Sequence, residues 1–188
     1  LSRELDVECF RGSPDDVLGR VKAAALATGA GVVATILGDN PLVHSNLIDD
    51  TIGLFEEGSF DYTASVTTEY PSAGSDIGKF PIGIRVQVFS IDTIEKADRM
   101  AEGRRYREDA TAFMFETDGL FRLGLLEASG RWDPLNAPTL HFAVNYLKNM
   151  RLLREIFREL YPRNPNFSLE EMMDLVLRRR ELLSLMGG

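Results

Sequence analysis

Cysteine is almost missing from this chain: Cys9 is the only one. No disulfide can form within the chain, which suits a reducing compartment, and a cytoplasmic location is expected. Histidine is nearly as scarce. His44 and His141 are the only two, neither stands in an H-E-x-x-H pattern or near a cysteine cluster, and no zinc site is expected. Positive charge is in short supply, with 21 Lys and Arg against 29 Asp and Glu and a net charge of −8. That balance argues against non-specific binding to DNA, RNA or anionic membranes. It leaves a nucleotide ligand open, because a few local cations and backbone N–H groups can hold phosphates. No apolar run approaches the ~18 residues of a membrane span, and no signal peptide is visible. A P-loop, a G-x-G-x-x-G fingerprint and a G-x-S-x-G elbow are all lacking. So are internal repeats, low-complexity tracts and interdomain linkers, and the 188 residues suit a single domain over 1–188. An initial methionine is lacking too. Leu1 to Leu5 reads as the end of a helix already under way, so the chain is expected to begin inside a fold.

What is there is a succession of short apolar runs and well-signalled helices. Val7 to Phe10 reads as a strand that would bury Cys9 as a small hydrophobe. Ser13-Pro14-Asp15-Asp16 opens a helix, with Ser13 as cap and Pro14 at the first turn, and Gly29 stops it. Val32 to Leu37 is apolar on both faces, as expected of a central parallel strand. Gly38-Asp39-Asn40-Pro41 ends it, Ser45 caps the next helix, and Gly58 stops that one. Asp61 to Val66 is a strand, and residues 67 to 83 read as a long mobile loop. Ile84 to Phe89 alternates as a half-buried strand, and Asp92 to Glu95 looks like a capping box. A helix over 104–116, strands at Phe121 to Leu125 and Leu140 to Val144, a helix over 146–160 and a Ser168 capping box complete the chain. Strand–loop–helix repetition points to an α/β fold with a mainly parallel sheet.

Ligands of open α/β sheets bind at the carboxyl ends of the strands. The loop Phe10 to Arg20 (FRGSPDDVLGR) combines Arg11, Gly12 and Ser13 with a helix N-terminus. It reads either as an anion-binding corner or as a capped helix with solvent charges. Asp39 sits at the mouth of a buried strand, where it would either meet Mg2+ or cap its own turn. His141, in an apolar strand, reads as a satisfied core or edge residue. No catalytic residue follows from these patterns.

Four stretches carry a family resemblance. They are DVECFRGSPDDVLGR (6–20), ATILGDNPLV (34–43), FPIGIRVQVFSIDTIEKA (80–97), and FRLGLLEA (121–128) through LREIFRELYPRNPNFSLEEM (153–172). In order and spacing they resemble the cytidylyltransferase-like proteins of the spore-coat polysaccharide type, relatives of the CMP-sialate and CMP-Kdo synthetases. The resemblance implies a three-layer nucleotidyltransferase-like fold, with a mixed, mostly parallel sheet between helices. It implies transfer of CMP from CTP to an acidic sugar, releasing pyrophosphate with Mg2+. On it, Arg11, Ser13, Asp16 and Arg20 lie by the nucleotide base, and Asp39 is the metal-binding aspartate. Residues 80–116 resemble the part that contacts the sugar and the second subunit of a homodimer.

Three departures stand against ordinary turnover. The family's first strand and its Gly- and Arg-rich triphosphate loop have no counterpart, so a first βα unit is expected to be lacking. A Gly-x-Asp-Val-Glu-Val-Phe stretch is here Gly83-Ile84-Arg85-Val86-Gln87-Val88-Phe89, which puts Arg85 and Gln87 where the resemblance expects substrate-contacting carboxylates. Val-Asp-Thr-Pro-Glu-Asp is here Val144-Asn145-Tyr146-Leu147-Lys148-Asn149, so Asn145 replaces the aspartate that would share the metal. Asn145 removes a negative charge and Arg85 adds a positive one, so both weaken Mg2+ binding and suit an anion held without metal. The expected readings are an impaired nucleotidyltransferase-like protein, a non-catalytic nucleotide-sugar-binding or partner subunit, and an active enzyme seen in part.

Overall fold

A computed structural model describes residues 1–70 and 73–185. Pro71 and Ser72, inside the long central loop, lie outside the described residues. Four strands form one sheet: β1 (Val32–Thr35), β2 (Tyr62–Ser65), β3 (Gln87–Ser90) and β4 (Leu123–Leu126), in the order β1-β3-β2-β4. β3 runs antiparallel to both β1 and β2, and β2 pairs parallel with β4. Three strands therefore share a direction and one opposes them, the mixed sheet expected.

Helices cover both faces. α1 (Val17–Thr28), α3 (Ile91–Met100), α4 (Arg104–Glu108) and α5 (Ala112–Glu116) lie on one, and α2 (Ser45–Glu57), α6 (Leu147–Leu160) and α7 (Leu169–Arg178) on the other. Strand alternation makes the two cores. Ile84, Val86 and Val88 join Leu47, Leu152 and Met172 on the α2–α6–α7 side. Tyr62, Ala64 and Phe89 join Leu18, Ile94 and Met114 on the α1–α3 side. The stretch expected to be half-buried is thus buried on both faces, because helices cover each. No described helix is long and apolar enough to cross a membrane.

Several expectations are corrected. Val32 to Leu37 is not a central parallel strand: β1 is a sheet edge whose one ladder is antiparallel. Its apolar character remains on the outside, with Val32 and Ile36 each 45% exposed. Val7 to Phe10 forms no ladder, and Cys9 is exposed. The segment 104–116 is two short helices, not one, because Asp109 turns its carboxylate back onto the N–H groups of Thr111 and Ala112. Leu140 to Val144 makes only an isolated parallel bridge, Ile82 to His141. Caps shift by a few residues. Asp16 rather than Ser13 caps α1, His44 rather than Ser45 caps α2, and Ser90 caps α3. The capping box of Ser168 and Glu171 forms as read.

Candidate functional site

The carboxyl end of β1 is the place where the singled-out residues gather. After Thr35 the chain turns through Leu37–Asn40, closed by Asn40 N–H donating to the Leu37 carbonyl at 3.0 Å. The Asp39 carbonyl then accepts from Val144 N–H at 2.8 Å. That bond sets the loop after β1 against the segment 141–146, and so brings Asp39 and Asn145 onto neighbouring loops. The segment is held in turn from below. Phe142 N–H donates to the Ile82 carbonyl at 2.6 Å, and Ile82 N–H to the Leu140 carbonyl at 3.1 Å. The approach requires Gly83. Its φ is +94°, and a Cβ there would stand 2.2 Å from Ala143 N. His141 is an edge residue, and its Nε2 meets Asn145 Nδ2 at 3.2 Å. If the amide donates, Asn145 Oδ1 is left to face a ligand.

These donors limit what metal the site can take. Asp39 offers a carboxylate and Asn145 an uncharged amide oxygen, and no described group of three or more His, Cys, Asp or Glu could hold a metal. Mg2+ commonly keeps one or two carboxylates and draws its other oxygens from water and phosphates. The pair therefore fits a Mg2+ arriving on a triphosphate, and does not fit a metal caged by the protein alone.

A cleft opens beside this loop pair, on the α1 side of the sheet. A cavity of about 500 Å3 lies between α1, the end of β1 and the α4–α5 turn, with Arg20, Thr35, Gln87, Asp109 and Thr111 among its walls. At its floor, Gln87 is buried in a hydroxyl network. Its Nε2 lies 2.7 Å from Thr111 Oγ1, 2.8 Å from the Tyr62 hydroxyl and 3.3 Å from the Tyr70 hydroxyl. Thr35 Oγ1 reaches Gln87 Oε1 at 3.3 Å. The two phenols sit 2.8 Å apart. Burial pushes Tyr70 up to about 12 and Tyr62 well above its ordinary value, so both stay neutral. Arg85 lies two residues before Gln87, is itself buried, and meets Glu69 at 3.3 Å through Nη1.

The first loop divides. Arg20 enters the cleft wall while its Nη1 donates to the Ser13 carbonyl. Asp16 accepts the Gly19 N–H at 2.9 Å and Arg107 Nη2 at 2.5 Å. Arg107 also pairs with Asp98 at 2.7 Å, and Asp98 with Lys22. The Arg107 hydrogen bond holds Asp16 below the usual carboxylate range. Lys22, then Arg107, does the same for Asp98. Asp16 is thus engaged by α1's own N-terminus and by α4. Arg11 is exposed and belongs to a shallow groove lined by the N-terminal segment. Of the residues singled out in the sequence, the structure thus places Arg20 and Gln87 in the cleft wall, sets the Asp39 and Asn145 loops together beside it, and leaves Arg11, Ser13, Asp16 and the buried Arg85 outside the lining. Thr35, Asp109 and Thr111 were missed in the sequence. The signal for the last two was Asp-Ala-Thr inside an apparent helix, since Asp and Thr both favour helix ends and turns.

Comparison with known proteins bears on the fold. No family model matches the chain. It is 29% identical over 156 residues to the uncharacterized protein MJ1063 of Methanocaldococcus jannaschii, covering 83% of this chain and 58% of that protein. It is 27% identical over 171 residues to the spore coat polysaccharide biosynthesis protein SpsF of Bacillus subtilis, covering 90% of this chain and 64% of that one. The chain thus spans less than two thirds of the length of either relative. A solved cytidylyltransferase of Leptospira borgpetersenii superposes with a TM-score of 0.83 at 16% identity, over 96% of this chain and 70% of that structure. The fold is therefore that of a cytidylyltransferase, a mixed α/β sheet between helix layers, and the sequence is similar to a protein of polysaccharide biosynthesis.

Proposed function

We propose that this chain is a sugar nucleotidyltransferase-like protein of surface polysaccharide or glycan biosynthesis, which binds a cytidine nucleotide and an acidic sugar at the carboxyl end of β1. One observation carries the reading: the 2.8 Å bond from Val144 N–H to the Asp39 carbonyl, which sets the Asp39 and Asn145 loops together beside the cleft. In the full reaction, a hydroxyl oxygen of the sugar attacks the α-phosphorus of CTP. The bond to the pyrophosphate oxygen breaks, and the hydroxyl proton leaves to a base or to water. A bound Mg2+ would withdraw negative charge from the phosphates. Asp39 would orient it, Arg20 would face the nucleotide from the α1 wall, and the Gln87 network would keep the sugar side of the cleft rigid. Asn145 lowers the charge available for metal, so turnover is slower than with an aspartate there. A homodimer through residues 80–116 belongs to the same proposal.

A second reading has its own support: a non-catalytic nucleotide-sugar-binding or partner subunit. Gln87 and Asp16 are both held by internal hydrogen bonds, and Asn145 contacts His141 rather than offering a charge. Calorimetric titration of CTP, with and without Mg2+, separates the readings. Metal-dependent binding that Asp39→Ala abolishes supports the nucleotidyltransferase-like site. CTP binding indifferent to both metal and Asp39 supports the second reading, and no CTP binding at millimolar concentration removes both.

A further inference from the structure

Among the described residues, Arg85 Nε is the one buried side-chain polar atom with no hydrogen-bond partner. Arg85 as a whole is only 7% exposed. A buried, always-charged guanidinium with an idle N–H is costly unless something completes it. Glu69 does so only in part. It meets Nη1 at 3.3 Å, and its side chain is 39% exposed, so its charge is diluted by water.

The neighbours cannot finish the task. Gln87 turns its amide nitrogen to the hydroxyls of Thr111, Tyr62 and Tyr70. The two phenols remain neutral. Asp109 directs Oδ1 to the N–H groups of Thr111 and Ala112. The position of Arg85 is informative as well. Side chains two apart on an extended chain share a face. Arg85 therefore lies on the face of Gln87, which floors the cleft, and is buried behind that wall rather than among the residues lining the cavity.

We infer that Arg85 is the oxyanion-selecting residue of this cleft, pairing through its open Nε edge with a carboxylate or phosphate of the ligand, and that no divalent metal takes part in that contact. Side-on pairing is the geometry an arginine fork offers an oxyanion. The resemblance places a carboxylate at this position, which would repel the same group, so the preference is a property of this chain. The inference deepens the proposed function, and rests on it for the expectation that the ligand is a sugar derivative.

The test uses glucuronate, glucose 6-phosphate and glucose, titrated calorimetrically into the whole chain in EDTA. At least one acid should bind tenfold or more tightly than glucose, and Arg85→Gln should remove that advantage. Which acid binds distinguishes a carboxylate from a phosphate. Because Arg85 is buried, its variant can fail to fold. The unmutated protein is therefore also followed by 1H–15N spectra of its arginine Nε–H groups, in which a protected Nε–H should move as the acid binds. Acids that bind no better than glucose overturn the inference, as does acid binding that leaves every arginine Nε–H signal in place. CTP is titrated into the same preparation. CTP binding without acid preference sinks the Arg85 inference alone, and acid preference without CTP binding sinks the nucleotidyltransferase-like reading alone.

Discussion

The surface beside α1 and the loop after β1 treat their charged groups differently. Beside α1, Asp16, Arg107, Asp98 and Lys22 form a continuous chain of ion pairs joining α1, α3 and α4. In the loop after β1, Asp39 is half-buried and, among the described residues, its carboxylate makes no hydrogen bond or ion pair. Both aspartates follow from the same resemblance and sit in similar loop contexts. A carboxylate held by a helix N-terminus and an arginine is engaged by the fold. A carboxylate left open at the carboxyl end of a strand is available to a ligand. The contrast teaches that partner geometry, rather than residue type, separates acids engaged by the fold from an acid left open.

The largest expected effect tests whether the open side is a built feature. Gly83→Ala puts a Cβ 2.2 Å from Ala143 N at a φ of +94°, so the 80–83 and 140–144 segments must part. Urea denaturation should show a loss of roughly 3–4 kcal/mol, and CTP binding should fall with it. Unchanged stability would mean that the two loops are not locked together. Next is the floor. Gln87→Leu strips partners from Thr111, Tyr62 and Tyr70 and should cost about 3 kcal/mol in the same assay. A cost under about 1 kcal/mol would make the network incidental.

Smaller effects sharpen the contrast between the two regions. Arg107→Ala removes a cation whose side chain is 26% exposed from between two acids, and should cost about 1–2 kcal/mol. It should leave metal-dependent CTP binding within about threefold, since that cluster is structural; a loss of tenfold or more would place Asp16 or Arg20 in direct ligand contact. The pH dependence has a definite sign. Asp98 and Asp16 titrate below the ordinary carboxylate value of 3.8 in the folded protein. Their stabilisation is present above that value and is lost as pH falls through the lower folded values. The acid limb of the stability curve, below about pH 4, should therefore flatten in Arg107→Ala. The smallest effect is a gain. Asn145→Asp returns one negative charge beside Asp39, and should tighten Mg2+-dependent CTP binding roughly threefold to tenfold. No change would remove Asn145 from the ligand set.

Sequence patterns read the elements well where one signal dominates. Ser168 and Glu171 formed the capping box that their spacing predicts. The helix over 146–160 appeared as Leu147–Leu160. They read poorly where two signals compete. Asp109 and Thr111 broke an apparent helix with local hydrogen bonds, which the apolar spacing of Tyr106, Phe113 and Phe115 concealed. The strand Val32–Thr35 kept its β-branched apolar residues but not its expected central place, since apolar faces tell of burial capacity and not of which strand lies alongside.

The sequence by itself determined the alternation of strands and helices, and the choice of Asp39, Arg85, Gln87 and Asn145 as the residues to follow. These rest on local backbone preference, spacing and side-chain chemistry, which a linear pattern carries. Only the tertiary structure decided that Asp16 is paired while Asp39 is open, that Gln87 is enclosed by hydroxyls from three segments, and that Arg85 keeps an idle N–H under the cleft. The partners in those contacts lie 17 to 91 residues away along the chain, and hydrogen bonding and desolvation act between whatever groups the packing brings within reach.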